Sequence, residues 1–148
     1  MKVVIADASC LILFTNLDRL DILERLYGHI WITNEVVREY GLPIPEFFTI
    51  HDPEQTYQDG PFFGVLDAGE ATSIALALEN PGCEIIIDEK KGRRIATELG
   101  LDVTGTLGVL KKAAAANLLT ADAALIGDLD RHGFRLTEDL KAELLASS

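Results

Sequence analysis

Four acidic residues stand where the sequence predicts that a strand or a helix begins or ends. Asp7 follows the apolar run 3–6 and precedes small residues, a pattern typical of a buried strand that ends in a carboxylate. In an open parallel α/β sheet, the carboxyl ends of the strands face the crevice where ligands bind. The other three acids are Glu39, Glu70 and Asp88. Together they indicate a metal-dependent active site.

The chemistry of such a site follows from the mutual repulsion of its carboxylates. Two carboxylates ~4 Å apart repel by roughly 4 kcal/mol at an effective dielectric near 20. Several carboxylates in one pocket therefore need a cation or raised pKa values. Oxygen-only ligand sets suit Mg²⁺ or Mn²⁺ rather than zinc. Because such an ion polarises a phosphoryl oxygen and lowers the pKa of water, the predicted reaction is metal-assisted hydrolysis of a phosphodiester.

Each of these acids also has a purely structural interpretation. Asp7 is suited to cap the helix that follows it, and Asp88 is suited to cap the next helix in the same way. Glu39 fits a solvated acid at a helix end, although it opposes the helix dipole there. Asp67-x-x-Glu70 is an acidic form of the capping box, which explains both of its residues. The functional interpretation depends on whether the acids converge in space.

Length and charge limit the classes of protein to which the chain can belong. Its 148 residues fit one domain with a sizeable core, and we predict a single domain over residues 1–148. The net charge of −11 argues against nucleic-acid binding by the whole surface. The basic residues are nevertheless clustered, with six of the thirteen between positions 90 and 112: Lys90, Lys91, Arg93, Arg94, Lys111 and Lys112.

The cysteines, the histidines and the N-terminus predict a cytoplasmic protein. Cys10 and Cys83 form no metal-ligand motif, and the three histidines match no zinc pattern. Two isolated cysteines fit a reducing compartment better than a disulfide framework. The N-terminus does not resemble a signal peptide, and no stretch approaches the ~20 apolar residues that cross a bilayer.

Strands and helices alternate along the chain. Strands are predicted at residues 2–6, 30–32, 47–50, 84–88 and 102–104. Helices are predicted over residues 9–27, 33–40, 90–99 and 106–118. Another helix is predicted to begin near Asp67. The tail is predicted to contain one or two more helices, with residues 132–135 between them. Alternation of this kind predicts a three-layer α/β/α sandwich with a central parallel sheet. If strands 2–6 and 84–88 are adjacent and parallel, Asp7 and Asp88 share one edge.

Residues 42–66 are the least regular segment, with four prolines and a turn predicted at Asp59-Gly60. The aromatic residues in it are Phe47, Phe48, Tyr57, Phe62 and Phe63. Such side chains can stack on unpaired bases. Burial in the core or at a dimer contact is the favoured interpretation.

Five blocks of the sequence resemble the PIN-domain family, over about residues 2–116. They are residues 4–12, 32–39, 66–77, 87–94 and 104–110. The most specific motifs are Gly69-Glu70-Ala71 and Gly105-Thr106-Leu107-Gly108. With these motifs the chain resembles a subgroup of short PIN-like proteins close to the VapC toxins, although Glu70 replaces the Asp that is usual in those toxins.

The resemblance implies a ribonuclease that depends on Mg²⁺ or Mn²⁺, is often dimeric and is inhibited by a small antitoxin protein when it acts as a toxin. It implies catalytic roles for Asp7, Glu39, Glu70 and Asp88, with Glu35 less well placed than Glu39 as the second acid. The implied metal ligands are Asp7, Glu70 and Asp88, and the supporting residues are Ser9, Glu89 and Thr106. RNA phosphates would contact the basic residues that follow Asp88: Lys90, Lys91, Arg93 and Arg94. A solvated helix face is an equally good interpretation of these four cations.

Three alternative functions compete with the ribonuclease. An inactive PIN-like binding module would use the acids as structural caps, and metal affinity distinguishes it from an enzyme. A receiver-like phosphoryl acceptor is disfavoured because its acidic pair, its phosphorylatable Asp after strand three and its late-strand Lys have no clear counterparts here. A dehalogenase-like phosphatase is disfavoured because Asp7-Ala8-Ser9 lacks the second Asp of its motif.

Overall fold

The computed structural model describes residues 2–55 and 64–147. The five strands of the described chain are β1 Val4–Ala6, β2 Ile30–Ile32, β3 Phe48–Ile50, β4 Glu84–Ile86 and β5 Asp102–Thr104. Its helices are α1 Ala8–Asn16, α2 Asp21–Tyr27, α3 Asn34–Tyr40, α4 Ala68–Leu78, α5 Lys90–Glu98, α6 Thr106–Ala115, α7 Ala123–Arg131 and α8 Glu138–Leu145. Within these ranges, none of the helices has the length and apolar character needed to span a membrane.

The strands form one parallel sheet in the order β3-β2-β1-β4-β5. The chain builds outward from β1 through β2 to β3, then returns to the other side of β1 to form β4 and β5. Val4 lies opposite Glu84 and Ala6 lies opposite Ile86, so β1 and β4 end at the same level. Helices cover both faces of the sheet, which confirms the predicted α/β/α sandwich.

Alternating side chains along the strands build two separate cores. On one face, Val4 and Ala6 pack with residues from α1, α2, α6, α7 and α8. On the other face, Ile5 packs with residues from α4 and α5. Strands buried on both faces need continuous apolar runs, which explains why residues 3–6 and 85–87 do not alternate with polar residues.

Several segments differ in detail from the sequence-based expectation. The helix predicted over residues 9–27 is two helices, because the chain turns between α1 and α2 with Asp18 in the left-handed region at φ 57°. Phe47 and Phe48 are buried in the core, as favoured above. The turn at Asp59-Gly60 and the aromatic side chains of Tyr57, Phe62 and Phe63 lie outside the described residues.

The order of the strands explains where a site can form. The chain crosses from β1 to β2 on one side and, after β3, crosses back to β4 on the other side of β1, which opens a crevice beyond the carboxyl ends of β1 and β4. Asp7 directly follows β1, and Asp88 follows β4 by two residues. The two acids therefore lie at one edge of the sheet, as predicted for adjacent parallel strands.

Candidate metal centre

Asp7 is held at the end of β1 by backbone hydrogen bonds on both sides. Its backbone N–H donates to the carbonyl of Ile86 in β4 (3.0 Å), and its Oδ1 accepts from the N–H of Ala8 (2.7 Å). The residue is only 3% exposed. Burial, which is the largest cause, and the charges of Asp67, Glu39 and Asp88 together raise the pKa of Asp7 to about 7, although the hydrogen bond from Ala8 lowers it. Asp7 thus caps α1 as the structural interpretation expected, while it also belongs to a cluster of acids.

Glu39 reaches this cluster from the last turn of α3. Its Oε1 accepts a hydrogen bond from the N–H of Gly69 at the start of α4 (3.0 Å). A Cβ atom at Gly69 would lie 2.6 Å from Glu39 Oε2, so a larger residue here would force the Glu39 carboxylate to move. Partial burial raises the pKa of Glu39, and the charge of Asp67 adds to the effect. Glu35 instead forms an ion pair with Arg38 on the same helix.

Asp67 is the member of the cluster that the sequence analysis treated only as a helix cap. Its Oδ1 accepts from the N–H of Glu70 (2.8 Å), which confirms half of the capping box. Oxygen atoms of Asp7, Glu39 and Asp67 all lie within 4.8 Å of one another, and this group could hold a metal ion. Because an aspartate cap uses one oxygen and leaves the other free, the capping pattern itself was compatible with a second role.

Glu70 lies beside this group, and one of its oxygen atoms has no partner. The residue is 4% exposed, and its Oε2 is buried without a hydrogen-bond donor in the described part of the chain. A Cβ atom at Gly92 would overlap this oxygen, so α5 approaches Glu70 through a glycine. The pKa of Glu70 is raised to about 8. Burial is the largest cause, and the neighbouring acids Asp67, Asp7 and Glu89 contribute the rest.

Asp88 is fixed by α6 rather than by the helix that follows it. The backbone N–H of Thr106 donates to its Oδ1 (2.6 Å), and the Thr106 hydroxyl donates to its Oδ2. The alternative that Asp88 caps α5 is wrong, because Glu89 occupies that cap position and makes no side-chain capping bond. Thr106 is fully buried, so it holds the Asp88 carboxylate in one orientation. Asp88 and Glu70 stand outside the group of three carboxylates whose oxygens lie within 4.8 Å.

The supporting residues occupy different positions around these acids. Thr106 contacts Asp88 directly, as described above. Ser9 and Glu89 are exposed and line a cavity together with Asp88. No side-chain hydrogen bond joins Ser9 to the acids within the described ranges.

The five acids Asp7, Glu39, Asp67, Glu70 and Asp88 form what we call the acidic centre. The cations of the described chain are paired with acids everywhere except beside this centre. Nine of the thirteen Lys and Arg side chains lie within 4.0 Å of a carboxylate. These nine include Lys111, bound to Glu143, and Lys112, bound to Glu84. Among the described residues, the four cations without such a partner form what we call the basic patch: Lys90, Lys91, Arg93 and Arg94. All four are exposed on α5, directly after Asp88 and Glu89.

The acidic centre fits a hard divalent cation. Its ligand atoms would all be oxygens, as Mg²⁺ and Mn²⁺ prefer. Across residues 2–55 and 64–147, no Lys or Arg forms an ion pair with Asp7, Glu39, Asp67, Glu70 or Asp88. The unpartnered Glu70 Oε2 and the raised pKa values of Asp7 and Glu70 both indicate negative charge that lacks a counter-ion.

Comparison with known proteins places nearly the whole chain in one family. A family model described as a PIN domain matches residues 3–148. No curated protein and no solved structure matches the chain.

Proposed function

We propose, because the chain belongs to the PIN-domain family, that it is a metal-dependent endoribonuclease. PIN domains are generally nucleases, and they usually use divalent metal ions. The observation that supports metal dependence is the group Asp7, Glu39 and Asp67, whose carboxylate oxygens lie within 4.8 Å of one another. Acids gathered in this way without a basic partner are costly unless a cation neutralises them.

In this proposal, Asp7, Glu39 and Asp67 hold Mg²⁺ or Mn²⁺, and Glu70 and Asp88 complete the site. A bound divalent ion supplies Lewis acidity that lowers the pKa of water and stabilises negative charge on phosphoryl oxygens. The protein contributes a rigid arrangement of carboxylates. The N–H groups of Ala8 and Gly69 orient Asp7 and Glu39.

The same rigidity extends to Asp88 and Glu70. Thr106 fixes both oxygens of Asp88 with its backbone N–H and its hydroxyl. The buried Glu70 Oε2 keeps one lone-pair direction free of protein donors within the described chain. A proton on Glu70 at neutral pH, which its pKa of about 8 favours, would leave when the site gains positive charge.

The basic patch supports a polyanionic substrate. Four exposed cations without acidic partners in the described chain are unusual in a protein of net charge −11, and they adjoin the acids that would do the chemistry. We infer that they contact phosphates of the RNA backbone. Replacing Lys91 and Arg94 with alanine should weaken RNA binding at all sequences and reduce the slope of log K against log[salt] by roughly 0.7 for each phosphate that the protein no longer neutralises. Lys141→Ala on α8 is the control, and an unchanged slope in the double variant would contradict this assignment.

The experiment that tests the activity is cleavage of single-stranded RNA in Mg²⁺ or Mn²⁺, with EDTA as the metal-free control. We expect cleavage that EDTA abolishes and that Asp7→Asn and Asp67→Asn each reduce by orders of magnitude. Asp139→Asn, an exposed acid on α8, is the matched control and should cleave normally. Equal cleavage by Asp7→Asn and the parent protein would contradict the proposed site.

A catalytically inactive PIN-like binding module is the second candidate function. The observation in its favour is that Asp7, Asp67 and Asp88 each accept a hydrogen bond from the first turn of a helix. Such a module would bind divalent ions weakly or not at all, and it would cleave no RNA under the conditions above.

The narrower roles implied by the resemblance stay predictions. They are a toxin inhibited by a small antitoxin, a homodimer and a cytoplasmic location. Light scattering coupled to gel filtration tests the dimer, and loss of RNA cleavage on co-expression with a candidate antitoxin tests the toxin role.

A further inference from the structure

A cavity of about 390 Å³ opens beside the acidic centre, between α1 and the turn that joins α7 to α8. Its apolar wall consists of Ile12, Leu13 and Phe134. Ile12 is 40% exposed, which leaves an apolar side chain uncovered on the surface. Asp88 and Glu89 line the same cavity, so it is continuous with the proposed catalytic site.

Three polar side chains also line this cavity: Ser9, Asn16 and His132. None of the three makes a side-chain hydrogen bond in the part of the chain that the structure describes. Ser9 and Asn16 lie on the same face of α1 as Ile12, since residues at spacings of three, four and seven share a helix face. The cavity therefore combines apolar side chains with unpaired hydrogen-bonding groups of the described chain.

The turn after α7 holds His132 and Phe134 in fixed positions. The N–H of Phe134 donates to the carbonyl of Leu129 (2.9 Å), and the N–H of Gly133 donates to that of Asp130 (3.0 Å). These are the two bonds of a Schellman motif, and Gly133 has the left-handed conformation that the motif requires, at φ 82°. A cavity wall fixed in this way is preorganised, which reduces the entropy lost on binding.

Charge distinguishes this cavity from a second one, which also lies near Asp88. The second cavity, of about 420 Å³, is lined by Lys90, Arg93 and Arg94 of the basic patch and by Gly105. Arg93 Nη1 lies 2.9 Å from the position of a Cβ atom at Gly105, and Asp88 Oδ1 lies 3.6 Å from the same point. A phosphate fits this basic cavity. The cavity beside α1 is lined by two acids and no Lys or Arg of the described chain, so it suits an uncharged group.

We propose that the cavity lined by Ser9, Ile12, Asn16, His132 and Phe134 is a nucleobase subsite, which selects the base next to the cleaved phosphodiester. We call it the base cavity. This inference rests on the proposed ribonuclease function and adds to it a source of sequence preference. A base presents flat apolar faces and polar edges, and the base cavity offers apolar side chains for the faces and hydrogen-bonding groups for the edges. In this proposal, an RNA strand whose phosphates contact the basic patch and whose base enters the base cavity passes over Asp88.

The direct test is titration of the full chain with the four uncharged nucleosides, followed by amide NMR in EDTA. We expect the signals of Ile12, Asn16, Gly133 and Phe134 to shift, with one nucleoside binding more tightly than the others. Asn16→Ala and His132→Ala should each weaken that preference, and Phe134→Ala should weaken binding at least about fivefold through loss of stacking. Phe134 also packs against the core, so the two exposed polar positions decide the outcome.

His29→Ala is the matched control, because His29 is exposed and precedes β2 at the opposite edge of the sheet. It should leave both the nucleoside shifts and their order of affinity unchanged. Shifts confined to the basic patch, or the absence of any shift, would overturn the inference.

Mapping of RNA cleavage sites separates failure of the base cavity from failure of the proposed function. Asn16→Ala and His132→Ala should redistribute the cleavage sites, whereas His29→Ala should reproduce the parent pattern. Unchanged sites in all three variants would contradict the base cavity and leave the ribonuclease function intact. Nucleoside binding at the base cavity without cleavage of any RNA would contradict the ribonuclease function and support base recognition alone, without a role in cleavage.

Discussion

Asp7→Asn should stabilise the cation-free protein at neutral and alkaline pH, although it should abolish activity. The carboxylate is almost completely buried and faces the charges of Asp67, Glu39 and Asp88. Asparagine has nearly the same shape, and its amide oxygen can still accept the hydrogen bond from Ala8. The substitution thus removes a repulsive charge while it keeps the cap of α1.

The size of the effect follows from the pKa of Asp7, which is raised from 3.8 to about 7. Each unit corresponds to about 1.4 kcal/mol, so the ionised Asp7 lowers the free energy of unfolding by roughly 4 kcal/mol above pH 7. For a protein of this length, 1 kcal/mol shifts Tm by roughly 2–4 °C. In EDTA at pH 8, we expect Asp7→Asn to unfold roughly 8–16 °C above the parent protein.

The pH dependence of stability has a definite sign. Because the folded-state pKa is raised, the folded protein holds a proton that the unfolded chain has released. The resulting stabilisation is fully present below pH 3.8 and is lost as the pH rises through about 7. Glu70 acts in the same direction between pH 4.5 and about 8. The parent protein in EDTA should therefore lose stability from pH 5 to pH 8, and Asp7→Asn should lose less.

The assay is thermal unfolding in EDTA at pH 5, 6.5 and 8, for the parent protein, Asp7→Asn and the control Asp139→Asn. Saturating Mn²⁺ should raise the Tm of the parent at pH 8 far more than that of Asp7→Asn, because binding to the folded state stabilises it. A lower Tm for Asp7→Asn than for the parent in EDTA at pH 8 would refute the reasoning, as would an identical pH slope for the two proteins.

Two further substitutions test the parts of the centre that orient its carboxylates. In Gly92→Ala, the new methyl group would overlap the buried Glu70 Oε2. We therefore expect the free energy of unfolding, measured by thermal unfolding in Mn²⁺, to fall by about 1–3 kcal/mol. Gly127→Ala has no atom within 4 Å of its new methyl group and should be neutral or stabilising, and equal effects of the two would contradict the contact. Thr106→Val removes the hydroxyl that binds Asp88 and should lower the rate of RNA cleavage roughly 10–100-fold. Thr106→Ser should restore most of that rate, and a fully active Thr106→Val would argue against a positioning role.

The fold was largely predictable from the sequence because its signals are local. Continuous apolar runs at residues 3–6 and 85–87 indicate strands buried on both faces. Thr33 and Gly41 mark the two ends of α3, and both cap it as expected. The order of the strands has no such local signal, since it depends on which crossover packs best against which face.

The candidate site was predictable only in part, because its contacts join distant segments. Asp7 and Asp88 follow strands and share an edge by topology. The capping pattern at Asp67 gave a sufficient local explanation, which concealed that α3 brings Glu39 next to it. The bonds between Thr106 and Asp88 span 18 positions, and no helix or strand period predicts them.

Direct binding of Mn²⁺ tests the central claim, which is that Asp7, Glu39 and Asp67 together hold a divalent cation. The measurement is an electron paramagnetic resonance titration of free Mn²⁺ into the full chain at pH 8, compared with Asp67→Asn and the control Asp139→Asn. We expect saturable binding by the parent protein and the control, and a loss of affinity of about tenfold or more in Asp67→Asn. No binding by the parent protein, or equal affinity in Asp67→Asn, would contradict the claim.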